Sequence, residues 1–109
     1  MEGGATRQFA RTELDKPVEI QIGKQTICVE NPANNVSVGG LFVRRGDLPV
    51  GSRVHVRIPV NSHAFEADGQ IDTATTNGAG IEFRSLTPAE LETLYELIAD
   101  LTIRGQAAA

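Results

Sequence analysis

The chain has 109 residues, 40% of them hydrophobic and 22% charged, which is room for one domain around one core. Its lone cysteine, Cys28, excludes an intrachain disulfide, and no apolar run is long enough to span a membrane. A net charge of −4 argues against a protein that coats nucleic acid.

That charge is unevenly spread. Residues 1–57 carry eight basic and six acidic side chains, net +2, and residues 58–109 carry two basic and eight acidic ones, net −6. Eight of the ten basic residues are arginine, whose planar fork suits bidentate contact with phosphate and guanine. With one cysteine and no basic-plus-apolar leader, the expected location is the cytoplasm, without membrane insertion.

Residues 1–6 have nothing to bury and are expected to form a flexible arm. Arg7-Gln8-Phe9-Ala10-Arg11 follows, an aromatic between two arginines. Val18-Glu19-Ile20-Gln21-Ile22 alternates strictly and predicts a half-buried strand. Gly23-Lys24 turns the chain into a second strand over Thr26–Glu30, where Cys28 reads as a small core residue. A loop over 31–35 leads to Asn35-Val36-Ser37-Val38-Gly39-Gly40-Leu41-Phe42-Val43. The first half of this stretch is polar and glycine-rich, a turn. The second half is apolar with β-formers, a strand entering the core.

Past the turn at 46–51, Arg53 to Val60 is the clearest alternation in the chain. Val54, Val56, Ile58 and Val60 share the core face, Arg53, His55 and Arg57 the outer one, and Pro59 is expected to end the strand or lie at an edge. The arginines flanking His55 are expected to push it toward neutrality. Phe65 to Thr75 predicts a longer, more polar strand, and Thr76-Asn77-Gly78-Ala79 a tight hairpin that Asn-Gly would suit through positive φ. Ile81 and Phe83 belong to the last strand. Then the period changes. Thr87-Pro88-Ala89-Glu90 is a capping box opening a helix, and Leu91, Leu94, Tyr95, Ile98 and Leu101 form its apolar stripe. Arg104 and Gly105 suit the helix end, and residues 105–109 read as a tail. About six short strands and one amphipathic helix predict a mainly β, small antiparallel barrel with the helix covering one end.

Nothing in the sequence recommends an enzyme. There is no nucleophile elbow, and His55 and His63 have no nucleophile beside them to activate. Two histidines and one cysteine at unrelated spacings make no metal site, and no cofactor is expected. The Asn35-Val36-Ser37 sequon has no meaning without a secretory leader, and Gly78-Ala79-Gly80 opens no helix that would cradle a phosphate.

Two motifs remain. Arg7-x-x-x-Arg11 stands ahead of the first strand and Asn35-x-Ser37-x-x-Gly40 opens the third. Together they resemble the signature of the PilZ domain family, R-x-x-x-R followed by D/N-x-S-x-x-G. The resemblance extends through Gly40-Leu41-Phe42-Val43, the Leu48-Pro49-x-Gly51 turn, Gly80-Ile81-x-Phe83 and the terminal helix, so it covers roughly Arg7 to Ile103.

The resemblance implies a six-stranded antiparallel β-barrel over residues 7–104 that binds the bacterial second messenger cyclic di-GMP. On that reading Arg7 and Arg11 bind phosphate and the guanine edge and stack on the bases. Asn35 holds the Watson–Crick side of a guanine, and Ser37 donates its hydroxyl. Gly40, with Gly39 beside it, lets the backbone turn without a Cβ obstructing the ligand. An aspartate at position 35 would accept both guanine N–H groups as a charged partner, which Asn35 does not.

With no output domain in the sequence, the expected action is on an unidentified effector protein, through ordering of the arm, in motility or biofilm regulation. The alternatives are a PilZ-like adaptor working by protein contacts without ligand, and a small barrel binding RNA or DNA. The intact motifs disfavour the first, and the acidic composition with few aromatics disfavours the second.

Overall fold

Alternating valines and isoleucines on one side of a segment, with charges on the other, leave the chain one way to bury the first set, which is to pair strands and face the apolar side inward. The computed structural model, which describes residues 12–30 and 34–108, shows this most plainly in the hairpin of two long strands over Arg53–Val60 and His63–Thr75. In chain order the elements are β1 (Thr12–Glu13), β2 (Val18–Ile22), β3 (Gln25–Val29), β4 (Asn35–Val36), β5 (Gly40–Val43), β6 (Arg53–Val60), β7 (His63–Thr75), β8 (Gly78–Phe83) and α1 (Pro88–Ala108).

All strand pairs are antiparallel, in the order β1-β4-β5-β8-β7-β6-β2-β3. The sheet curls into a half-barrel of eight strands where six were expected. The additional two are β1 and β4, pairs of residues too short to carry a period in sequence. Among the described residues the end strands β1 and β3 do not bond to each other, so the barrel is not closed.

The concave face holds the core. Val54, Val56, Ile58 and Val60 are all buried, with Phe65, Leu41, Val43, Ile71 and Ile81 packed among them. Phe65 meets Phe83 edge-to-face, ring centres 5.3 Å apart. Pro59 does not end β6. It pairs with Ala64 of β7 and lies past Arg57, the last β6 residue paired with β2, so no neighbour on that side asks for its missing N–H. Cys28 is exposed on the end strand β3 and is not a core residue.

The last hairpin turns as expected, with different chemistry. Thr75 pairs with Gly78 across a two-residue Thr76-Asn77 loop, and neither Asn77 nor Gly78 takes a positive φ. Gly78 is required instead by a close approach, because a Cβ there would run into the Phe42 ring and the Val43 carbonyl.

Helix α1 begins as the capping box predicts. The Glu90 N–H donates to the Thr87 hydroxyl at 3.1 Å, and the Thr87 N–H donates to the Glu90 carboxylate at 2.9 Å. Leu94, Leu97 and Leu101 are its buried face, docked chiefly on β7 and also on β1 and β6. Tyr95, expected in the stripe, is 53% exposed, while Leu97 takes the core position. The helix passes through Gly105 to Ala108, so Arg104-Gly105 does not end it.

Candidate ligand-binding site

The turn between β4 and β5 is built from its own polar atoms. The Ser37 N–H donates to the Gly40 carbonyl at 2.8 Å, and the Ser37 hydroxyl leans on the same oxygen at 3.4 Å. The Gly39 N–H donates to that hydroxyl at 3.3 Å. Ser37 is 6% exposed, so in this conformation its hydroxyl serves the turn. The turn is then pinned to the sheet, because the Phe83 N–H donates to the Gly39 carbonyl at 3.0 Å. Gly40 pairs with Glu82, and a Cβ on it would collide with the Ile81 carbonyl. The absence of a Cβ at this motif position lets two strands approach.

Asn35 is half-buried in β4 between Glu13 of β1 and Phe42 of β5. Its neighbour Asn34 fixes the whole corner. Asn34 is fully buried; its carboxamide oxygen accepts from the Arg44 N–H at 2.8 Å and its amide donates to the Val29 carbonyl at 3.4 Å. Its own carbonyl accepts from the Leu14 N–H at 2.7 Å. The Asn34 side chain thus ties the end of β3 to the exit of β5, and its backbone carbonyl adds the segment after β1 to the same knot. Sequence reasoning left Asn34 in a loop. The only signal was a second asparagine ahead of the motif, and the identity of its partners was not local.

Arg7, Arg11 and the arm at 1–6 lie outside the described residues. Thr12, the next residue after Arg11, pairs with Val36, and Glu13 pairs with Asn35.

A second feature was not foreseen. The convex face over β2, β6, β7 and the end of β8 carries an open cleft of 610 Å³, lined by Gln21, Arg53, His55, Asp68, Gln70 and Arg84 among others. His55 Nδ1 lies 3.0 Å from Asp68 and Nε2 2.9 Å from Glu66. Those hydrogen bonds, the Glu66 contact first and Asp68 next, raise the His55 pKa above its ordinary 6.5. This overturns the expected push to neutrality, because the carboxylates across the hairpin are closer partners than the arginines along the strand. Arg84 donates to Gln70 at 2.8 Å and pairs with Glu82 at 3.1 Å. The alternation of β6 had put Arg53 and His55 on the outer face, but only strand pairing identifies the residues opposite them.

Among the described residues no group of His, Cys, Asp or Glu is arranged to hold a metal ion, and no helix is long and apolar enough to cross a membrane.

A family model described as the PilZ domain matches residues 5–100 of the chain. The fold is similar to the PilZ domain of CeSA from a cellulose-synthesizing bacterium, with TM-score 0.71 and 16% identity, covering 85% of this chain and 98% of that one. It is equally similar to the PilZ domain with c-di-GMP of YcgR from Escherichia coli, with TM-score 0.71 and 16% identity, covering 94% of this chain and 95% of that one. The Bacillus subtilis inhibitor of motility MotI/DgrA matches with TM-score 0.66 and 19% identity, over 90% of this chain and 51% of that one. No curated protein sequence matches the chain.

Proposed function

The chain belongs to the PilZ domain family, whose members bind cyclic di-GMP, and we propose that it is itself a receptor for that nucleotide, relaying its presence to a partner protein. Arg7 and Arg11 hold the phosphates and guanine edges, and the turn of Asn35, Ser37, Gly39 and Gly40 forms the opposite wall. Ser37 contributes by rotating its hydroxyl from the long contact with the Gly40 carbonyl to the ligand.

The observation that carries this reading is the register of β1 on β4. Thr12↔Val36 is one residue from Arg11 on one strand and one from Ser37 on the other. In this reading the second arginine of one motif, one covalent step of about 3.8 Å from Thr12, acts beside the serine of the other. Two motifs that are 24 positions apart in the chain (Arg11 to Asn35) are brought together in this reading by a two-residue pairing. Two of the similar structures support the ligand and the expected output: the Escherichia coli domain holds c-di-GMP, and the Bacillus subtilis protein is an inhibitor of motility.

Relay in this reading proceeds through the N-terminal arm, which closes over the ligand and presents a changed surface. Nothing about the site calls for a reaction. In this reading the groups of the site bind and orient, and the protein is a non-enzymatic receptor acting in the cytoplasm.

Calorimetric titration with cyclic di-GMP tests the reading. Saturable binding is expected in the wild type, weakened by roughly 2–5 kcal/mol in Arg7→Ala and in Arg11→Ala. Absence of heat from the folded wild type at high ligand concentration overturns it.

A further inference from the structure

The convex cleft is joined to the motif turn by strand register. Gly40 pairs with Glu82, Glu82 with Gln70, and Gln70 with Arg53. These four residues form one row across β5, β8, β7 and β6. Three strand spacings separate its ends, about 14 Å. The turn's Gly39 carbonyl is held by Phe83, the residue before Arg84 of the cleft wall.

Within the cleft, Arg53 makes no ion pair or side-chain hydrogen bond among the described residues. Its fork is uncommitted, while the other cleft arginine, Arg84, is engaged by Gln70 and Glu82. Asp68 stands diagonally across the hairpin from Arg53, since His55 faces Asp68 and Arg53 faces Gln70; its Oδ1 is held by His55 at 3.0 Å, and the side chain is otherwise open to solvent. Diagonal neighbours on one face are about 7–8 Å apart.

An arginine fork and a carboxylate rising from diagonal positions are a poor seat for a phosphate, which the carboxylate and nearby Glu82 would repel. They are a good seat for guanine. Its O6/N7 edge accepts two bonds from an arginine, and its N1–H and exocyclic amine on the other edge donate to a carboxylate. Adenine offers no matching pair, because it has an amine where guanine has O6.

We propose that this cleft is a guanine-recognition site, with Arg53 reading the O6/N7 edge and Asp68 the Watson–Crick edge of a base of the ligand held at the Asn35–Gly40 turn. The inference rests on the receptor reading above and adds to it the residues that select the base.

The test is titration of the full chain with cyclic di-GMP and with its inosine counterpart, which lacks the exocyclic amine. The variants are Arg53→Lys, Asp68→Ala and Arg57→Ala. Arg57 lies on the same strand and face outside the cleft and controls for loss of charge. Arg53→Lys keeps the charge and loses the fork. Expected are a loss of at least tenfold in Arg53→Lys and in Asp68→Ala, little change in Arg57→Ala, and a wild-type preference for guanine over inosine that disappears in Asp68→Ala. Binding in Arg53→Lys and Asp68→Ala equal to wild type, while Arg11→Ala abolishes it, overturns the cleft assignment and leaves the receptor reading standing. An equal loss in Arg57→Ala overturns it as well, since the effect is then one of general field. No binding by wild type removes both.

Discussion

The corner around Asn34 and the β6–β7 hairpin are held together by different forces. The hairpin has thirteen residues in β7 and eight in β6, a fully buried Phe65, and an inner face of branched aliphatic side chains. Its stability is spread over apolar area, and its outer face is left to charges that solvent screens. The corner has two-residue strands and a turn whose polar atoms mostly satisfy one another, with a single buried asparagine linking three segments. Leu14 and Val36 are buried beneath the corner, but two-residue strands and a concentrated hydrogen-bond knot make a region that opens at lower cost than the long hairpin, as the proposed receptor role requires.

The contrast is tested first at its strong end. Phe65→Ala should remove about 3–5 kcal/mol of global stability, read as a lower urea midpoint, because a large ring is lost from a closed core. Affinity for cyclic di-GMP in the fraction that remains folded should be little changed. A loss of affinity as large as the loss of stability would erase the distinction between the regions.

Asn34→Ala comes next. It strands the Arg44 N–H and the Val29 carbonyl, at a cost of about 1–3 kcal/mol. Hydrogen exchange should accelerate around 34–44 and at Leu14 while β6 and β7 amides remain protected. Uniform acceleration across both regions would show that the corner is not a separate unit.

The smallest effect belongs to the outer face of the hairpin. The folded-state pKa of His55 is raised, so its charged form is stabilised on folding by Glu66 and Asp68. That stabilisation is complete below the unfolded pKa, about 6.5, and is lost as pH rises through the folded value. Side-chain exposure of 41% at His55 and 51% at Glu66 screens the pair, so the expected change is below about 1 kcal/mol. Urea midpoints at about pH 5.5 and about pH 8 should show wild type losing more stability than His55→Gln over that interval. Identical slopes would mean that the carboxylates across the hairpin contribute nothing.

Periods, caps and turns were legible in the chain because they are local. The alternation at 53–60 gives the inner face of β6 residue by residue, and Thr87-Pro88-Ala89-Glu90 gives the helix start with its two reciprocal hydrogen bonds. The paired motifs pointed to the family that the family match over residues 5–100 shows. What the residues could not disclose was who stands opposite whom. Position 35 and its serine were visible, but the burial of Asn34 and its hold on Arg44 and Val29 come from segments that meet only in the folded sheet. Gly40 and Gly78 were legible as glycines, but the atoms that exclude a Cβ belong to other strands. His55 was read against its chain neighbours and is governed by the carboxylates across the hairpin, because side chains paired across a sheet lie closer than those two apart along a strand. Local order was written in the spacing of residues, and the convex cleft and the neighbours of each polar group were decided by strand register, which no local period encodes.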